Sequence, residues 1–387
     1  MNNKPYKVFL LLVFFTVGLT AQTEKKYQKT FYVTEKTQLR FQTNNIDVTF
    51  KTWNKDEVKV DFSIDFKNYS EKEIKNISDN VIVSARMQSS MDDTSFLQIE
   101  NNSQTSIGRL SYQLKSGEIR LENLSWDNDS EKKHKSVSDI HREIDTSDDG
   151  FEDLDGYVLF ENGDKVPLKD IDNSSNKQIL SIRSQYVVYV PKYITIDIMA
   201  DNATITFDGT FTNVIRGNFK EGTLQAETLQ NEHNNMAIMN GNLKVKEISG
   251  GRYMLRNISN GLIGELENTM IDTEFSKISV GEIKKNVKFR DFKSKYFFYN
   301  LGENFESIEM FCEYSDINIF NEKKQHYYLE AYGHDAILND GGTKIVAQPS
   351  RDGKKSKMFT IGKDDSETRK NTFKLDIVHG FVTLLYR

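Results

Sequence analysis

Between residues 224 and 337 the chain repeats itself about every nineteen residues, a period that few architectures accommodate. Apolar residues placed just after a polar turn fall at Leu224, Leu243, Leu262, Ile278, Phe297, Ile317 and Ile337, at intervals of 19, 19, 16, 19, 20 and 20. The corners before them are small or polar, as in Glu221-Gly222, Asn240-Gly241-Asn242, Ser276-Lys277, Ser294-Lys295 and Ser315-Asp316. Upstream of the corners lie short alternating strands, such as Tyr253/Leu255, Val287/Phe289 and Ile308/Met310. Helical repeats run to about 33 residues or more, too long for this period. A strand–corner–strand unit fits a parallel β-solenoid, whose coils are too thin to stand alone and are stabilised by stacking. About four inward side chains per coil, at roughly 1.5–3 kcal/mol each, favour the coil only when both its faces are covered. An antiparallel sandwich also repeats strands, but at about 8–12 residues. The longer period favours the solenoid.

Around this core, assigned to 179–342, the chain divides further. Residues 22–126 alternate with period two, as in Leu39/Phe41, Ile46/Val48/Phe50 and Val58/Val60/Phe62/Ile64, which predicts an N-terminal β region of half-buried strands. Ser70–Asn80 is polar and reads as a short helix or a loop. Residues 343–387 carry three strand signals, Met358–Ile361, Phe373–Val378 and Phe381–Leu385, and are expected to cap the stack against edge-to-edge pairing.

Residues 127–178 differ in kind. They hold 15 acidic and 7 basic residues, and are expected to form a flexible acidic insertion because they offer little to bury. A hairpin is predicted within them at Gly156–Pro167. At the other extreme, Lys4 and Lys7 precede the apolar run Val8–Leu19 and then Thr20-Ala21-Gln22, the three regions of a secretory leader ending at residue 21. Twelve apolar residues fall short of the roughly 20 that a membrane span needs. The expected product is therefore exported, with no integral span after cleavage.

Composition removes several function classes. Without the leader the chain has 49 basic and 57 acidic residues, the wrong balance for a nucleic-acid binder. Cys312 is the single cysteine, which excludes a disulfide scaffold and a multi-cysteine metal site. It lies in an apolar stretch and reads as a small buried hydrophobe.

Two stretches carry a family resemblance. Leu39-Arg40-Phe41-Gln42-Thr43-Asn44-Asn45-Ile46-Asp47-Val48-Thr49-Phe50, followed by Trp53-Asn54-Lys55-Asp56-Glu57-Val58-Lys59-Val60, is similar to the opening of the "putative adhesin" family of exported bacterial proteins. Tyr189-Val190-Pro191-Lys192 leading into Ile194–Phe207 resembles that family's later step into its coils. The resemblance implies a β-solenoid or β-helix-like fold outside the cytoplasm, with no assigned activity. Asn45 stands where the family favours glycine, and the acidic insertion is long for the family.

The search for chemistry returns little. His134, His141, His233, His326, His334 and His379 are scattered, with no pair spaced as in zinc hydrolases. Asp145, Ser147, Asp149 and Gly150 match the start of a calcium loop, but Gly156 stands where the bidentate glutamate belongs, so a solvated acidic loop is the preferred reading. Asp272, Glu274, Asp291, Glu313 and Asp316 fall where carboxylates could line one coil face as in sugar-cleaving β-helices. Tyr296-Phe297-Phe298-Tyr299 and Tyr327-Tyr328 must place some rings outward, where rings suit carbohydrate or protein contacts. No catalytic residue, metal ligand, cofactor or ligand-binding set is assigned. The expectation is a non-enzymatic, adhesin-like or scaffolding protein of the cell envelope, with an envelope protein or glycan as partner. The alternatives are a polysaccharide-active enzyme on the same fold and a signalling partner that docks through the acidic insertion.

Overall fold

A computed structural model describes residues 22–67, 69, 71–79, 81–89, 94–101, 109–113, 119–123, 157–159, 165–167, 181–302, 305–321, 327–361 and 371–386. The leader, the calcium-loop-like residues 145–150, His134, His141 and His326 lie outside the described residues.

The chain is all-β and winds as a stack of two-stranded rungs. The first strand of each rung joins a 13-stranded front sheet and the second joins a 14-stranded back sheet. Rung 1 is Thr37–Asn44 with Asp47–Trp53, and rung 2 is Thr195–Asp201 with Thr204–Phe211. Rung 3 (Ile215–Lys220, Thr223–Gln230), rung 4 (Asn235–Met239, Asn242–Ser249) and rung 5 (Arg252–Arg256, Asn260–Glu267) follow. Next come rung 6 (Thr269–Glu274, Lys277–Ile283), rung 7 (Val287–Phe292, Lys295–Leu301) and rung 8 (Ser307–Glu313, Asp316–Asn321). Each rung pairs in parallel with the next. Alternate side chains of both sheets meet between them, and this single core includes Phe50, Phe207, Leu243, Ile263, Val280, Phe289 and Phe298.

At both ends the stacking order departs from chain order. Rung 1 comes from the segment that precedes the acidic insertion, and Val48 lies beside Ile205. Residues 307–321 are followed in space by rung 9, Thr372–Val378 with Phe381–Tyr386, and only then by rung 10, Tyr328–His334 with Ala336–Asp340. The expected C-terminal cap thus contributes its last two strands to the interior of the stack. Antiparallel strands close the ends: Glu57–Lys67 and Gln22–Tyr32 beyond Ser181–Pro191, Val83–Ser89 beyond Ser95–Asn101, and Thr343–Ala347 with Ser356–Ile361 beyond rung 10. Glu71–Asp79 forms a helix that buries Ile74. Tyr157–Leu159 and Lys165–Pro167 pair antiparallel, as the predicted hairpin requires.

The register corrects three positions of the sequence repeat. Equivalent residues are Leu224, Leu243, Gly261, Ile278, Tyr296, Ile317 and then Val382 and Leu338. Leu262 and Phe297 each sit one place too late and point outward. The inward place at rung 5 is a glycine because the Ile278 side chain fills it: a Cβ on Gly261 would lie 2.5 Å from Ile278 Cδ1.

Candidate functional site

Each rung turns from front to back sheet through one residue in the left-handed region. These are Asn45, Asn202, Glu221, Asn240, Asn257, Phe275, Lys293, Tyr314, His379 and Asp335, from rung 1 to rung 10, with φ between 47° and 58°. From rung 2 to rung 8 the corners are 19, 19, 17, 18, 18 and 21 residues apart. Every corner N–H from rung 1 to rung 9 donates to the carbonyl just before the next rung's corner, at 2.8–3.0 Å. Asn45 occupies this conformation with the short polar side chain that tolerates it best after glycine.

The side chains along this column change character half-way. In rungs 1 and 2, Asn202 Nδ2 donates to Asn45 Oδ1 at 2.7 Å, and Asn257 Nδ2 donates to Asn240 Oδ1 at 2.9 Å in rungs 5 and 4. From rung 6 the ladder moves inside. Buried Ser276 and Ser294 accept the backbone N–H of Ile258 and Ser276 at 3.1 and 3.0 Å. The outward corner side chains are then no longer needed to tie one rung to the next.

Corner residues Phe275, Tyr314 and His379, with Phe292 and His334 from the positions just before two other corners, form an aromatic ridge. Phe275 meets Phe292 edge-on at 5.5 Å, Phe292 meets Tyr314 at 5.8 Å, Tyr314 stacks on His379 at 4.9 Å, and His379 meets His334 at 5.7 Å. Five rings from five successive rungs thus make one strip. Phe275 is 48% exposed, Phe292 38% and Tyr314 54%. Lys293 Nζ lies 5.6 Å from the Phe275 ring, and Asp335 Oδ2 lies 2.8 Å from His379 Nδ1. Beside the strip, on the front sheet, is a groove of about 380 Å³ whose lining includes Arg290, Phe292, Phe311, Glu313, Lys355 and Asp376. A bulky residue in the left-handed region is an outlier that folding alone does not favour.

The expected outward aromatics are on the other face. Tyr296 and Phe298 are buried, whereas Phe297 and Tyr299 point out of the back sheet and Tyr299 stacks on Phe320 at 5.0 Å. Tyr299 closes one end of a shallow crease of about 490 Å³ that crosses rungs 2 to 7 over bare backbone at Gly264 and Gly281. Tyr327 is buried and Tyr328 only partly exposed.

Of the five carboxylates named from the sequence, Asp272, Glu274 and Asp291 line one front-sheet groove of about 470 Å³, whereas Glu313 lines the neighbouring groove and Asp316 lies on the back sheet. Asp272 pairs with Arg252 at 2.6 Å, Glu274 with Arg256 at 2.8 Å and Asp316 with Lys295 at 2.8 Å, all facing outward. Asp291 points inward. It accepts hydrogen bonds from the hydroxyls of Thr273 and Ser315 and from the Ser294 N–H, and Tyr296 in turn donates to Thr273. Burial raises the Asp291 pKa, and these donors pull it back down. Burial also pushes the Cys312 thiol well up, and its Sγ donates to the Asp376 carbonyl at 3.4 Å. Among the described residues no cluster of three or more His, Cys, Asp or Glu side chains is arranged to hold a metal ion.

No family model and no curated protein matches the chain. A solved structure described as a "putative cell adhesion protein" from Clostridium sporogenes aligns with 94% of this chain and 100% of its own, at 13% identity and a TM-score of 0.19. At that TM-score the likeness carries no argument.

Proposed function

We propose that this protein is an exported, non-catalytic, adhesin-like binding element of a bacterial envelope that grips an envelope glycan along its aromatic ridge. The observation that carries the reading is Phe275 and Tyr314: two bulky residues held in the left-handed region with their rings in water. Such outliers persist where function requires them. Rings of successive rungs, flanked by Lys293, Glu313 and Asp335, suit a linear polymer with apolar ring faces and many hydroxyls. The leader Met1–Ala21 supports export. No helix among the described residues is long and apolar enough to cross a membrane.

A panel of envelope glycans and an envelope-protein pull-down test this with the unmodified protein and the Phe275→Ala/Tyr314→Ala variant. Binding of a glycan that weakens about tenfold or more in the variant, equal to about 1.4 kcal/mol, is expected. A variant that binds like the parent removes the ridge from the function. Release of reducing ends or unsaturated sugars replaces the reading with an enzymatic one.

A further inference from the structure

Rung 9 is out of sequence, and the chain on either side is built as though it were absent. Ser307 and Tyr328 both pair with Thr372, and Ile317 and Leu338 both pair with Val382. Rungs 8 and 10 are therefore offset by 21 residues in each sheet, and their corners, Tyr314 and Asp335, by the same 21. That equals the interval from corner Lys293 to corner Tyr314. In sequence, rung 10 stands where the next rung belongs.

The inserted segment has its own adhesive surface. Phe373, Leu375, Ile377, Val382 and Leu384 are all buried, and both hydrogen-bonding edges of both strands are paired in parallel. Its connection is generous. Ile361 and Phe373 both pair with Leu329, one on each side, so they lie two strand spacings apart, about 10 Å. Residues 362–371 join this strand to rung 9, and ten residues extend to about 35 Å. Fully extended, that is more than three times the separation to be covered.

We propose that the slot between rungs 8 and 10 is a strand-pair acceptor through which two copies of this chain join, each placing residues 372–386 in the other. Every contact that rung 9 makes within one chain is available unchanged in a second copy. Exchange of an identical element therefore costs little beyond association, and repeat proteins are prone to it. This inference stands apart from the glycan reading, since it uses neither the ridge nor its ligand.

The chain contains its own reporter. Cys312 in rung 8 pairs with Ile377 in rung 9, both buried. Neighbouring parallel strands lie about 4.8 Å apart, inside the Cα separation of roughly 4.4–6.8 Å that a disulfide accepts. Ile377→Cys chains, refolded at high concentration and oxidised in air, are expected to run as a covalent dimer without reductant. Ile377→Cys/Cys312→Ser is expected to lose that band. The unmodified protein refolded the same way is expected to give a dimer by light scattering, and two differently tagged copies to co-purify. Only monomer from the concentrated unmodified protein overturns the proposal. So does a dimer in which the 312–377 bridge forms entirely within single chains.

Discussion

Rungs 1 to 5 and rungs 6 to 8 turn the same corner with the same backbone and different side chains. In the first group four of five corner residues are asparagine, and asparagine side chains tie neighbouring rungs together on the outside. In the second group buried serines take over that task, and the outward places go to Phe275, Lys293 and Tyr314. A repeat can therefore keep its fold constant and vary its surface, provided that the bonds holding the corner move inside.

The two groups share one core, so cutting it in either should cost similar amounts. Phe289→Ala in rung 7, which removes ring contacts to Tyr296 and Phe298 at 5.5 and 5.2 Å, is expected to destabilise by about 3–5 kcal/mol. Ile238→Ala in rung 4 is expected to cost about 2–5 kcal/mol. Denaturant titration checks both, and separate transitions for the two variants would break the comparison into independent units.

Only the second group has a buried carboxylate. Asp291→Ala takes the acceptor from the Ser294 N–H, at about 1–3 kcal/mol, and leaves the Thr273 and Ser315 hydroxyls only the Arg290 and Glu313 carbonyls. The pH dependence is more diagnostic. Because burial holds the folded pKa above the ordinary 3.8, the protonated form is favoured in the fold. Stability from this group is complete below the unfolded value and is lost as pH rises through the folded one. The stability of the unmodified protein relative to Asp291→Asn is therefore expected to be greatest near pH 3 and to fall as pH rises. A difference that grows with pH would reverse the assignment.

Swapping the corners tests the comparison directly. Asn257→Phe is expected to cost about 1–2 kcal/mol through the left-handed backbone, besides losing its bond to Asn240. Phe275→Asn gains the easier backbone and loses the Phe292 contact, so stability should change by less than about 1 kcal/mol while glycan binding falls. Thermal melts and binding on the same samples separate the two effects. The smallest change is expected for Arg256→Ala, whose exposed pair with Glu274 is worth at most about 1 kcal/mol and less in salt.

The strand–corner–strand period was legible because each corner needs a small or polar residue and each strand alternates. The misplacements have local causes. At Gly261 the inward side chain is missing, so Leu262 takes its apparent place, and at Tyr296-Phe297-Phe298 both faces are aromatic. The displacement of rung 10 was hidden because its 21-residue offset matches an ordinary rung, and pairing between residues 317 and 382 leaves no periodic trace. The ridge was missed for a related reason. Phe275, Phe292, Tyr314 and His379 come together only through stacking. Their one sequence sign is a large residue directly before a corner serine, in Phe275-Ser276 and Tyr314-Ser315.

Rung 9 also sets how the molecule answers tension. A tether at the C-terminal end of Phe381–Tyr386 pulls on a strand with a parallel neighbour on each side, Asp316–Asn321 and Ala336–Asp340. Force along that strand must shear two ladders together, where a terminal strand would have resisted with one. Load applied to Phe381–Tyr386 is therefore carried by both ladders at once.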